Sequence, residues 1–192
     1  AHGGAGELFL IDATGETIAA SNWNQPGSFV GQNYAFRPYF QDALATGRGQ
    51  FYAIGVTTGV PGYFLSARVE AGDTIGVMVV KLDLRPLQQT WRAAEADVAL
   101  ADEHGVVFLS ARPDWQYRPL VGLLPETLDH LVTTRAYEGV RLGETAPLLT
   151  APPEGADAAG EDWIARIGPV PATGGQVIAA RPLQGLQLVA LG

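Results

Sequence analysis

The sequence predicts an α+β fold built from two tandem copies of one module, each an antiparallel sheet flanked by helices, and two observations carry the prediction. The first is an internal echo. A β-like run, an Asp-x-x-Gly turn and a second β-like run occupy residues 8–21 around Asp12 and Gly15, and recur at 98–110 around Asp102 and Gly105. Asp caps such a turn with its side chain and Gly supplies the positive φ, so both segments read as hairpins. A tryptophan follows each, Trp23 and Trp115. The second observation is a series of short apolar runs punctuated by Gly and Pro, with few helical stretches between them, as expected of meandering strands with helices to one side. A boundary near residue 95 divides the chain into modules spanning 1–94 and 95–192.

In the first module, residues 36–45 form the expected helix, with Pro38 accommodated in its first turn and Gly47 ending it. Strands follow over 50–56, 62–70 and 74–84, separated by Gly- and Pro-containing turns. A short helix over 84–94 leaves the module. The second module is expected to place a helix at about 125–137 and strands near Leu148 and over 163–167, 176–180 and 186–191. Between these, 151–160 reads as a Pro/Gly/Ala loop.

Composition narrows the functional classes. Twenty acidic against twelve basic residues give a net charge of −8 over 192 residues, which argues against nucleic acid as a partner, because phosphate neutralisation needs a basic face. The chain has no cysteine, hence no disulfide framework, thiolate metal site or thiol nucleophile. No apolar stretch approaches the ~18 residues of a membrane-spanning helix. His2, His104 and His130 lie far apart and without metal-ligand spacing, so neither a metal nor another cofactor is expected. The Gly55–Gly59 loop has no following Gly-Lys-Ser/Thr, and a plain connection between strands is the simpler reading. A hydrolase would need a base beside a Ser or Tyr, and no histidine lies between His2 and His104.

What remains clusters in the first module. Eleven of the twelve basic residues are arginine, and the single lysine, Lys81, ends an apolar run on the same strand face as Val77 and Val79. A buried ammonium is costly unless an anion meets it, whereas a lysine at a strand end can also extend its head to water. Tyr34, Arg37 and Tyr39 stand at the start of the helix, where unpaired N–H groups and the helix dipole favour an anion. Arg37 adds a planar fork suited to carboxylate, although a surface ion pair is its plainer use. Thr57 and Thr58 sit on the turn before the strand carrying Tyr63, Phe64 and Ser66. Alternation puts Phe64 and Ser66 on one face and Tyr63 on the other. A serine in such a strand most often makes a backbone hydrogen bond.

The segments 19–23, 28–40 (SFVGQNYAFRPYF), 61–66 (PGYFLS) and 76–81 (GVMVVK), with the echo at Asp102 and the segment 110–118 (SARPDWQYR), resemble the periplasmic sensor region of DctB-type histidine kinases, bacterial sensors of four-carbon dicarboxylates. The resemblance is strongest through residue 84. It implies a double Cache (PDC-type, PAS-like) fold, with a membrane-distal module binding a dicarboxylate through Tyr34, Arg37, Tyr39, Thr57, Thr58, Tyr63, Ser66 and Lys81. Succinate, fumarate and malate are the expected ligands, Arg37 and Lys81 each meeting one carboxylate. It further implies a periplasmic domain of an inner-membrane protein, anchored by transmembrane helices, paired as a homodimer through a long N-terminal helix that this chain lacks, and signalling to a kinase core that regulates dicarboxylate transport. The alternative is a Cache ectodomain of a chemoreceptor or cyclase binding another small anion or an amino acid, for which Asp83 is the nearby acid.

Overall fold

The computed structural model describes residues 6–72, 74–94, 97–150, 157–159, 163–170 and 173–182. It contains strands β1 (Glu7–Asp12), β2 (Thr17–Ala20), β3 (Arg48–Ile54), β4 (Pro61–Ala71) and β5 (Thr74–Leu82) in one antiparallel sheet of order β2-β1-β5-β4-β3. A second sheet, β7-β6-β10-β9-β8, is formed by β6 (Val98–Ala101), β7 (Val107–Ser110), β8 (Asp157–Ala159), β9 (Trp163–Pro169) and β10 (Gln176–Pro182). The two orders are the same pattern shifted by five strands. Helices α1 (Pro38–Thr46), α2 (Arg85–Ala93) and α3 (Pro125–Thr133) complete the elements, with 3₁₀ turns at Pro113–Trp115 and Leu142–Glu144.

The echo extends to atomic detail. Asp12 Oδ1 accepts the N–H groups of Thr14 and Glu16, and Asp102 Oδ1 accepts those of His104 and Val106. Gly15 and Gly105 hold φ values of 92° and 78°, which an L side chain would resist. Each hairpin has a register shift at the equivalent place, between Leu10 and Ile11 and between Leu100 and Ala101. The chain then returns to each hairpin alike: Tyr34 N–H donates to Gly15 O, and Leu120 N–H to Gly105 O. The two tryptophans part company, Trp115 being buried and Trp23 71% exposed.

Helix α1 begins at Pro38 because Arg37 still holds an extended backbone, and it ends where Gly47 takes a left-handed φ of 92° and donates to Ala43 O. It buries Tyr39, Phe40 and Ala43 against the inner face of its sheet, whose alternate residues Phe9, Ile11, Phe64, Val77 and Val79 form the first core. In the second sheet Ala99, Ala101, Val107, Ile167 and Ile178 play that part, with Trp115 and Leu120.

Several expectations shift. Leu148 and Leu149 are not in a strand; their N–H groups reach Pro119 O and Leu120 O. The strand β8 runs through the expected loop, and the strand expected at 186–191 lies outside the described residues. Helix α3 stops at Thr133, short of 137, and Arg135 takes a φ of 53°. By spatial proximity the chain forms two compact units: one runs up to Pro86 and also includes Leu128–Val140, and the other comprises Leu87–Thr127 and the chain from Arg141. The end of α3 and the turn after it therefore belong with the first sheet, where Ile54 N–H donates to Ala136 O and Tyr52 packs against Tyr137.

Candidate functional site

Lys81 is fixed by the middle of the first sheet. β5 pairs with β1 and β4 so that Lys81 stands opposite Glu7 on one side and Phe64 on the other. Its side chain is only 4% exposed, so the lysine does not extend its head to water. The ammonium donates to Thr58 Oγ1 at 3.2 Å and lies 3.6 Å from Glu7 Oε2. The rings of Phe29 and Phe64 lie 5.7 and 5.9 Å away, within cation–π range. Burial lowers the Lys81 pKa from the ordinary ammonium value, and the neighbouring Glu7 carboxylate opposes that shift. The stem requires bare backbone beside it: a Cβ on Gly62 would fall 2.8 Å from Lys81 Cε and Cγ.

Arg37 is buried too, at 1% exposure, and is not a surface ion pair. One terminal nitrogen, Nη1, donates to Thr134 O at 2.9 Å and Arg135 O at 3.0 Å, and Nη2 donates to Ile54 O at 3.1 Å. The carbonyls of Thr134 and Arg135, the two residues that follow α3, are thus turned toward the guanidinium rather than continuing the helix. Two cations stand over the Phe36 ring, with Arg37 Cζ at 5.1 Å and Arg135 Cζ at 5.6 Å from its centroid. Burial depresses the Arg37 pKa from a value so high that the group stays charged.

A cleft of about 250 Å³, solvent at its mouth included, opens between these cations. Of the residues expected from sequence, Tyr34, Arg37, Tyr39, Thr57 and Lys81 line it. The Tyr34 hydroxyl and Thr57 Oγ1 share a 2.7 Å hydrogen bond, and burial raises the Tyr34 pKa. Tyr39 stacks on Phe64 at 4.9 Å with 10° between planes, and burial also holds its phenol in the neutral form by raising its pKa. Thr58 stands one step back, bonded to Lys81 and accepting the Val60 N–H. Ser66 does not line the cleft. Its hydroxyl donates to Tyr39 O at 2.6 Å and ties β4 to α1. Tyr63, half-buried, is on the other face of β4 from Phe64 and Ser66.

Sequence reasoning missed the apolar lining, Phe9, Phe29, Val56 and Phe64, together with Gly55. Phe9 and Phe64 were recoverable, since alternation puts them on the core face of their strands; Phe29, in a loop, carried no such signal. It also missed Glu7, whose relation to Lys81 exists only through the register of β1 on β5. Asp83 is engaged by Arg85, which approaches both carboxylate oxygens to within 2.9 Å and holds the Asp83 pKa below its ordinary value.

At the position equivalent to Lys81 the second unit has no cation. With Asp12 equated to Asp102, the residue equivalent to Glu7 is Asp97 and its partner on β10 is Ala180, where β5 has Lys81; Leu120 takes the place of Tyr34. Among the described residues no group of His, Asp and Glu side chains could hold a metal ion.

No protein-family model matches the chain. Named relatives do. The C4-dicarboxylate transport sensor protein DctB of Rhizobium meliloti is 36% identical over 149 residues, covering 77% of this chain and 23% of that protein. The protein of the same name from Pseudomonas aeruginosa is 40% identical over 121 residues, 61% of this chain and 20% of its own length. The chain thus spans less than a quarter of these curated relatives. Among solved structures, the sensor domain of the V. cholerae histidine kinase DctB superposes with a TM-score of 0.81 at 30% identity, covering 93% of this chain and 72% of that one. The two-sheet architecture is accordingly the double Cache (PDC) fold, and the chain belongs to the DctB family of periplasmic sensor domains.

Proposed function

We propose that the first unit binds a four-carbon dicarboxylate such as succinate, fumarate or malate, with Lys81 meeting one carboxylate and Arg37 the other. The observation that carries this reading is the pair of buried cations on one cleft in a chain of net charge −8. Arg37 has five N–H donors, and its three bonds to carbonyls leave two for a ligand. The hydroxyls of Tyr34 and Thr57, already joined to each other, can turn to carboxylate oxygens. A monocarboxylate meets only one of the two cations and forgoes the second charge-assisted contact, and that forgone contact is the source of selectivity. The acids near Lys81, Glu7 and Asp83, are already in ion pairs, which favours a dicarboxylate over an amino acid needing a partner for its ammonium.

Within the whole protein this binding is the input to a sensor histidine kinase of the inner membrane that regulates dicarboxylate transport. The names of the two curated relatives support that role. Pairing of two domains through a preceding helix is part of the same proposal. The ligand can drive signalling only by its difference in affinity between conformations. Thermal denaturation with succinate, fumarate, malate, propionate and several amino acids tests the ligand class. A ligand at 100 times its Kd stabilises by about 2.7 kcal/mol, and a folded sample that no dicarboxylate stabilises would refute the proposal.

A further inference from the structure

We infer that Glu7 is a displaceable counter-ion: it neutralises Lys81 while the cleft is empty and yields the ammonium to a ligand carboxylate, so that it sets the domain's affinity. This rests on the dicarboxylate reading above. Three observations carry it. Residues 7, 9 and 11 of β1 share a face, and Phe9 and Ile11 on that face are 2% and 0% exposed, so a carboxylate has been placed where the strand otherwise buries hydrocarbon. The register of β1 on β5 sets it directly opposite the single lysine. The two partners are unequal, with the Lys81 side chain 4% exposed and that of Glu7 37%. The ammonium cannot leave for water; the carboxylate can.

Charge balance gives the direction of the effect. Arg37, Lys81 and Glu7 sum to one positive charge, matched to a monoanion. A dianion entering with Glu7 in place would set three negative charges against two positive ones, and Glu7 swinging into solvent restores equality. Phe9, two residues along the same face, and Lys81, the ion-pair partner of Glu7, both line the cleft.

Glu7→Gln tests this by isothermal titration with succinate alongside thermal denaturation of the empty domain. The expected results have opposite signs. Succinate binding tightens about fivefold, as for loss of a partly exposed ion pair, while the empty domain melts about 2–4 °C lower because a buried ammonium has lost its anion. A purely structural Glu7 would weaken both. Binding that is unchanged or weaker in E7Q, with wild-type protein still binding succinate, overturns this inference alone; wild-type protein that binds no dicarboxylate overturns the proposed function and this inference with it. If E7Q does not fold, Glu7→Asp, one methylene shorter, is expected to tighten binding by a smaller factor, and no tightening there is equally fatal.

Discussion

Replacing Lys81 by methionine separates the ligand's needs from those of the fold. Met matches the length of the lysine stem, so the packing against Phe29 and Phe64 survives. The empty domain loses an ammonium buried to 4% exposure, whose desolvation is a cost, and leaves Glu7 exposed enough to hydrate. Exchange of such an ion for a hydrophobic residue is often neutral or stabilising, so the empty domain should be unchanged or gain up to about 1 kcal/mol. The bound state behaves differently. One ligand carboxylate then sits between aromatic rings without its cation, and truncating one partner of a buried charge pair costs about 2–5 kcal/mol. At about 1.4 kcal/mol per tenfold, succinate binding should fall at least 30-fold. Near-exclusion of water from Lys81 argues for a loss above about 100-fold. Titration calorimetry with succinate and propionate reads both the loss and the collapse of discrimination between two-ended and one-ended acids. A K81M domain that binds succinate within threefold of wild type would exclude Lys81 as the cation that meets a ligand carboxylate, and one that fails to fold would refute the stability expected of the empty domain.

Arg37→Ala should behave unlike K81M: two buried carbonyls and a part-buried one lose their donor, and chemical denaturation should show a loss of about 3 kcal/mol or more besides lost binding. Ser66→Ala removes one bond to the Tyr39 carbonyl; a cost of about 1 kcal/mol is expected, with the succinate Kd within threefold of wild type, and a larger change would bring Ser66 into the site. The pH dependence follows from Lys81. Its folded pKa lies below the unfolded value of 10.5, so between the two the unfolded chain holds a proton the native domain has released, and stability rises with pH through that window. Succinate affinity should fall through the same window as the ammonium is lost. The difference between wild type and K81M in parallel pH titrations isolates this contribution from the tyrosines, and curves that run parallel would exclude it.

The parts of this molecule that were legible in sequence are those decided locally. Asp12, Gly15 and their echoes at Asp102 and Gly105 announce two hairpins because the cap and the positive φ are properties of four residues. Pro38 and Gly47 bracket α1 for the same reason. Lys81 stood out by composition, and its strand face followed from alternation. The uses of Arg37 and Glu7 were not legible. Arg37 is met by backbone carbonyls of Ile54, Thr134 and Arg135, and any residue type supplies a carbonyl. Glu7 meets Lys81 across 74 positions of chain through a strand pairing that no local pattern specifies. Ser66 shows the converse: its residue type suits either a ligand or a main-chain contact, and only the 2.6 Å approach to Tyr39 O shows which of these the fold makes. Helix α3 was overextended to 137 because helix propensity cannot register that the carbonyls of Thr134 and Arg135 meet Arg37.

The isolation of Lys81 as the chain's one lysine has a practical side. Reductive methylation with ¹³C-formaldehyde would install a single side-chain dimethylamine, whose NMR signal reports directly on what occupies the cleft, with no assignment to be made among competing lysines. The same property turns against routine handling. Coupling to a sensor chip through side-chain amines, or labelling with an amine-reactive dye, has only this address within the sequence, and at 4% exposure it is one that a surface or a bulky dye does not readily reach.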